Sequence, residues 1–215
     1  MMWTHWILDL DNTLYSAQTG VFDRVDVRIQ QYLMDRLGWS EGRARAFRLH
    51  CIQHFGTTLR GLRIYYPELD PLEFLEYAHD VPLEDLLGPM PEVRSVLAAL
   101  PGMRVIFSNS DRKHTARVLD LLGLSDLFEV CITIEDLGFI PKPHWEAYAM
   151  LVERLRAIPS RCVYVDDLLE NLRMARRWGF RCVWVTHRTS PGRFPEPGIV
   201  AIPTVLDLPR AVAWL

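Results

Sequence analysis

Two aspartates one residue apart, in the run Asp9-Leu10-Asp11-Asn12-Thr13, follow directly on the apolar stretch Trp6-Ile7-Leu8. A carboxylate can attack an electrophile, hold a metal ion or move a proton, and a pair divides those tasks when its surroundings push the two pKa values apart. Three more polar sites recur in comparable positions. Ser108, Asn109 and Ser110 close the run Val105-Ile106-Phe107, Lys142 lies between Pro141 and Pro143, and Asp166-Asp167 close Cys162-Val163-Tyr164-Val165. Each alone has an ordinary explanation: a polar turn, a strand-end hydroxyl, a solvated lysine, a helix N-cap favoured by the dipole. Together they gather at least three acids at the strand ends of one sheet, and converging like charges repel unless cations intervene. Lys142 and a divalent metal would resolve that repulsion.

The elements that must position these residues read clearly from residue 90 onward, where short β-branched runs alternate with amphipathic helical stripes. That alternation predicts an α/β fold, a parallel sheet covered by helices on both faces. In such sheets ligands bind beyond the carboxyl ends of the strands, where the polar sites fall. Asp111 is expected to cap the helix carrying Thr115, Leu119 and Leu122, which Gly123 ends. The Pro-rich stretch 191–203 reads as a loop before a short C-terminal helix. Residues 20–88 differ, carrying helical stripes with no convincing strand. Val25, Ile29, Tyr32, Leu33 and Leu37 share one face, Gly38 and Ser40 mark a stop and a restart, and Asp70-Pro71-Leu72-Glu73 has the form of a capping box. The expected organisation is therefore a core domain of residues 1–15 and 89–215, with an all-helical cap domain of residues 16–88 inserted after the first strand. A lobe placed there overhangs the strand ends and can exclude water from a bound ligand.

Of the 215 residues 49% are hydrophobic and 24% charged, and the formal charge of -3 gives no long-range attraction for nucleic acid or an anionic membrane. Any phosphate must then be captured by local groups, and the expected partner is a small molecule rather than a nucleic acid polymer or a membrane. No apolar run approaches the ~20 residues of a membrane-spanning helix. Cys51, Cys131, Cys162 and Cys182 form no Cys-x-x-Cys pair and read as reduced thiols of a cytoplasmic protein, a monomer or a homodimer.

The joint order of Asp9 with Asp11, Ser108, Lys142 and Asp167 resembles the haloacid dehalogenase superfamily of aspartate-nucleophile hydrolases, with its Rossmann-like core. What the resemblance implies is that Asp9 attacks phosphorus to form an aspartyl-phosphate, while Asp11 protonates the leaving oxygen and then activates water. Thr13 and Ser108 would bind phosphoryl oxygens, Asn109 and Ser110 would join them as substrate-binding candidates, and Lys142 would neutralise charge. Asp9, Asp167 and the backbone carbonyl of Asp11 would ligate Mg²⁺, with Asp166 and Asn171 in support. Asn12 stands where many relatives have Gly, and Leu168 where Ser is frequent. Asp11 favours phosphatase over dehalogenase chemistry, since cleavage of a phosphate ester needs a proton donor. A closer resemblance, to the pyrimidine 5'-nucleotidase branch with its helical cap, rests on Asp9 to Tyr15, Gly56-Thr57-Thr58-Leu59-Arg60-Gly61-Leu62, His79-Asp80, Phe107-Ser108-Asn109-Ser110 and Val165-Asp166-Asp167. It implies a nucleoside 5'-monophosphate substrate. Tyr15 could then stack on a base or else pack in the core, and Arg60 could meet a phosphate or sugar oxygen or else form a surface ion pair. His79-Asp80 reads as a contact between cap and sheet. Alternatives left open are a phosphosugar phosphatase or mutase, a receiver-like phospho-acceptor module and a silent scaffold.

Overall fold

The computed structural model describes residues 3–187 and 196–211. Its sheet has six strands, β1 (His5–Leu8), β2 (Met103–Phe107), β3 (Val130–Ile132), β4 (Cys162–Asp166), β5 (Arg181–Val185) and β6 (Ile199–Ile202), in the order β3-β2-β1-β4-β5-β6. All neighbouring pairs are parallel. Period-two alternation sends successive side chains to opposite faces. Trp6, Leu8, Ile106, Val163, Val165 and Val183 thus enter one core cluster, while Ile7, Val105, Phe107, Tyr164 and Cys182 enter the other. Burial on both faces explains why the strands read as nearly continuous apolar runs.

Nine α-helices fall among the described residues. Four lie between β1 and the rest of the sheet: α1 (Val21–Leu37), α2 (Glu41–Phe55), α3 (Thr58–Tyr65) and α4 (Pro71–His79). The others are α5 (Pro91–Ala98), α6 (Arg112–Leu122), α7 (Trp145–Leu155), α8 (Leu169–Arg177) and α9 (Leu208–Ala211). Tyr32, Leu33, Trp39, Leu59, Leu62, Phe74 and Leu75 form a third cluster within α1–α4 and their loops, closed from the sheet side by Ile134 and Phe139. Gly38 ends α1 in the left-handed region at φ 64°, and the Ser40 hydroxyl caps α2. Asp70 caps α4 by accepting from the Leu72 N–H, but Glu73 does not reach back to complete the box. It pairs instead with Arg36 of α1, because a guanidinium from the neighbouring helix is a stronger partner than one backbone amide.

The stretch read as a loop over 191–203 needs correction at its end. Residues 191–195 lie outside the described residues, but Ile199–Ile202 form β6, the strand at the β5 edge of the sheet. Flanking prolines and Gly198 concealed a four-residue strand, which such punctuation tolerates at an edge.

Candidate active site

The register of the sheet aligns the chemistry. Leu8 pairs with Ile106 on one side and Val165 on the other, so Asp9, Phe107 and Asp166 emerge side by side, with Ser108 and Asp167 one step beyond. The β1/β4 boundary is also where the strand order reverses direction, the crevice at which open α/β sheets take ligands. Asn12 turns the chain after β1 at φ 61°. That left-handed conformation is one Asn or Gly adopts at low cost, which explains an Asn where relatives have Gly.

Lys142 is fully buried at the centre. Its Nζ donates to Asp9 Oδ1 at 2.7 Å, to the Phe107 carbonyl at 2.7 Å and to Asp166 Oδ2 at 3.1 Å. Burial alone would discharge the ammonium, but Asp166 and Asp9 outweigh it and hold the lysine pKa above its ordinary value. Asn109 does not face a substrate. Its Oδ1 accepts from the Lys142 N–H at 2.8 Å and its Nδ2 donates to the Lys142 carbonyl at 3.1 Å, so this side chain braces the lysine loop.

Asp9, Asp166 and Asp167 each offer an oxygen within 4.8 Å of the others, a grouping that fits a divalent cation. One lysine against three carboxylates leaves two negative charges uncompensated. Burial, chiefly, raises the pKa of Asp9, the Asp166 and Asp11 charges adding to it against Lys142. Asp167 is raised by burial and then by Asp9 and Asp166. The three differ in what they have left to give. Asp166 receives Leu168 N–H, Asn171 Nδ2, Tyr164 Oη and Lys142 Nζ, which fills its lone pairs. Asp166 thus belongs to the acidic grouping but takes the supporting part: it orients Lys142, and Asn171 holds it in place. Among the described residues the Asp167 carboxylate has one side-chain hydrogen-bond donor, the Thr13 hydroxyl at 3.2 Å, which also lies 2.9 Å from Asp9 Oδ2. A hard cation such as Mg²⁺ suits this carboxylate set, with Asp9 and Asp167 the side chains free to hold it.

The Asp11 carboxylate lies outside that grouping, with its own set of donors. Its Oδ1 accepts from Tyr15 Oη at 2.5 Å and lies 2.9 Å from His114 Nε2, and its Oδ2 accepts from Ser110 Oγ at 2.6 Å. Burial pushes the Asp11 pKa up, but the His114 charge and the three hydrogen bonds bring it well below the carboxylate range. His114 shifts the other way: burial opposes its charge, and Asp11 raises it. Two sequence readings change here. Tyr15 cannot stack on a base, because its ring is buried in the core and its hydroxyl is spent on Asp11, and Ser110 supports Asp11 rather than a ligand. Ser108 keeps the expected availability: its Oγ accepts from the Ser110 N–H at 3.0 Å and donates to no protein group among the described residues.

Most of the 56–62 motif proves architectural. A Cβ on Gly56, at φ 82°, would stand 3.3 Å from the Lys142 carbonyl, and one on Gly61 only 2.1 Å from Cys51 Sγ. Thr57 caps α3, while Thr58, Leu59 and Leu62 are buried. Arg60 is half-buried and its guanidinium has no ion-pair partner among the described residues. His79 makes the expected contact between α4 and the sheet side, through Asp111. His114 is the residue sequence reasoning missed. Its place on the buried face of α6, beside the stripe of Thr115, Leu119 and Leu122, was the one available signal.

Acids on adjoining strand ends of a parallel sheet, joined through one buried lysine, define a carboxylate-centred hydrolase of the α/β class. A family model for haloacid dehalogenase-like hydrolases matches residues 5–179, and the chain belongs to that family. It is 25% identical over 189 residues to phosphate metabolism protein 8 of Saccharomyces cerevisiae, covering 81% of this chain and 59% of that protein. It is 26% identical over 135 residues to (S)-2-haloacid dehalogenase 2 of a Pseudomonas species, covering 58% of each. The chain thus spans about three-fifths of the length of these two relatives. Among solved structures, the HAD-hydrolase YfnB of Bacillus subtilis, bound to magnesium, superposes with a TM-score of 0.65 over 99% of both chains at 15% identity. No helix among the described residues is long and apolar enough to cross a membrane.

Proposed function

We propose that this chain is a Mg²⁺-dependent phosphatase of small phosphate monoesters working through an aspartyl-phosphate on Asp9. The observation that carries this reading is the holding of Asp11 beside Asp9 by three donors, Tyr15, Ser110 and His114. A halide leaves carbon without a proton, whereas an alkoxide leaving phosphorus needs one, so a carboxylate kept ready for proton transfer favours ester cleavage over dehalogenation. An S. cerevisiae relative named for phosphate metabolism points the same way.

In the first half-reaction an Asp9 oxygen bonds to phosphorus, the ester P–O bond breaks, and the leaving oxygen takes a proton from Asp11. In the second, Asp11 takes a proton from water, the resulting oxygen nucleophile attacks phosphorus, and the Asp9–phosphorus bond breaks to release phosphate. The ligand-free site keeps Asp11 ionised, the form required for the second step. A phosphate entering beside it raises its affinity for a proton, as the first step requires. Two unit charges ~4 Å apart repel by roughly 4 kcal/mol at an effective dielectric of 20, which Lys142 offsets where Asp9 meets the phosphate. Asp9 and Asp167, with the Asp11 carbonyl, would hold Mg²⁺, which would supply the remaining charge neutralisation at the phosphoryl group. Thr13 and Ser108 hold the phosphoryl oxygens by their hydroxyls.

For the substrate, a nucleoside 5'-monophosphate rests on the motif resemblance, with Arg60 as the lobe's candidate reader of the ester's organic part. A phosphosugar fits the same reading of Arg60. The setting expected for such an enzyme is the cytoplasm, as a monomer or homodimer. Phosphate release from a panel of nucleotides and sugar phosphates with Mg²⁺, beside halide release from 2-chloropropionate, tests the proposal. It predicts phosphate release lost in Asp9→Asn, and halide release without phosphate release would refute it.

A further inference from the structure

The Asp11 carboxylate has about four lone-pair positions, two on each oxygen. Tyr15 and His114 occupy those of Oδ1, while Ser110 takes one on Oδ2 and leaves the other open. The arrangement therefore selects Oδ2 as the oxygen that can exchange a proton with an ester. His114 in turn is fixed from two sides. Its backbone N–H donates to Asp111 Oδ1 at 2.7 Å, at the start of α6. Its ring stacks on His79, the last residue of α4, with centroids 4.3 Å apart and planes 26° apart. His79 is tied by its Nδ1 to the other oxygen of the same Asp111. A chain of contacts thus runs from the lobe, through two imidazoles, to the acid beside the nucleophile. A cleft of about 640 Å³ between α4 and α6 reaches His79, Asp111 and His114 but not Asp9, Lys142 or Asp167.

We infer that His114 is a positioning residue that aims Asp11 Oδ2 at the ester's leaving oxygen, and that His79 of the lobe holds His114 for that purpose. The inference rests on the phosphatase reading above and assigns a role within it. Its consequence is chemical rather than merely structural, because positioning of the acid matters only where a proton must be transferred. p-Nitrophenolate departs from phosphorus without protonation, whereas an alkoxide does not, and both esters share the second, Asp11-assisted hydrolysis.

The experiment compares wild type, His114→Ala, His114→Gln and His79→Ala on p-nitrophenyl phosphate and on glycerol 2-phosphate with Mg²⁺, using rapid mixing to separate the first turnover from the steady state. For His114→Ala, kcat on the glycerol ester falls ~10- to 100-fold, within the range of general acid catalysis, while KM changes little. The first-turnover release of p-nitrophenol holds within about threefold, and its steady state slows because Asp11 also serves the second step. His114→Gln, whose amide nitrogen can donate in place of Nε2, recovers most of the loss, and His79→Ala shows the same pattern more weakly. Equal losses on both esters and in both phases, or an unimpaired His114→Ala, overturn the inference while leaving the phosphatase reading intact. A wild type that releases no phosphate from any ester overturns both. Should His114→Ala fail to fold, His79→Ala against wild type carries the same two outcomes.

Discussion

Asp166 and Asp167 are neighbours in sequence but not in chemistry. The first ends β4 with its oxygens filled by Lys142, Tyr164, Asn171 and a backbone amide, and the second begins the loop with Thr13 as its one side-chain donor among the described residues. Asp167→Asn is accordingly expected to weaken Mg²⁺ binding more than Asp166→Asn, which should lower kcat by roughly 10- to 100-fold through a misplaced Lys142. Titration calorimetry with Mg²⁺ beside phosphate-release kinetics checks that order. Tyr15 supports a second residue-level expectation. Tyr15→Phe removes a hydrogen bond to a buried carboxylate and should lower the unfolding free energy by about 1.5 to 3 kcal/mol, measured by urea denaturation. The ratio of kcat/KM between nucleotide and sugar phosphates should not move, because the ring lies in the core. A selective loss on nucleotides would contradict that placement.

At the scale of elements, the strands were legible because burial on both faces writes them as unbroken apolar runs, and the caps at Ser40, Asp70 and Asp111 because each side-chain oxygen precedes a helical stripe. β6 was not, since an edge strand of four residues amid Pro and Gly carries too little pattern. The 56–62 motif shows a different limit: sequence marks the glycines but not what approaches them. Gly61 lets α3 close on α2 at Cys51, with no room for a methyl group. Gly61→Ala should therefore cost about 1 to 3 kcal/mol of stability, as overpacked sites do, and Cys51→Ala in the same chain should recover part of it. Thermal unfolding of the two variants provides the check, and additive losses would show that the contact is not shared.

For the molecule as a whole, strand-end acids, a lysine and hydroxyls could be assigned to one site from their order alone, because parallel topology forces strand ends together. The partition of roles among them could not, since it depends on hydrogen bonds between residues a hundred positions apart, as between His114 and Asp11. The same partition sets the response to pH. Burial first, then neighbouring carboxylates, pushes Asp9 up to about 7 and Asp167 to about 8 in the metal-free fold, above the ordinary carboxylate value near 4. The folded chain then holds more protons than the unfolded one, so this contribution to stability is full below about pH 4 and is lost as pH rises through about 7 to 8. On the proposed function Mg²⁺ would take the place of those protons, and its stabilising effect should be larger near about pH 8 than about pH 6, by calorimetry with and without chelator. An equal effect at both would contradict the charge balance drawn for the site. The most direct test of the whole account is acid quenching during turnover of a phosphate monoester, followed by peptide mass spectrometry. The account predicts a Mg²⁺-dependent phosphoryl adduct on Asp9. Continued phosphate release with the adduct on another residue, or with none at all, would contradict it.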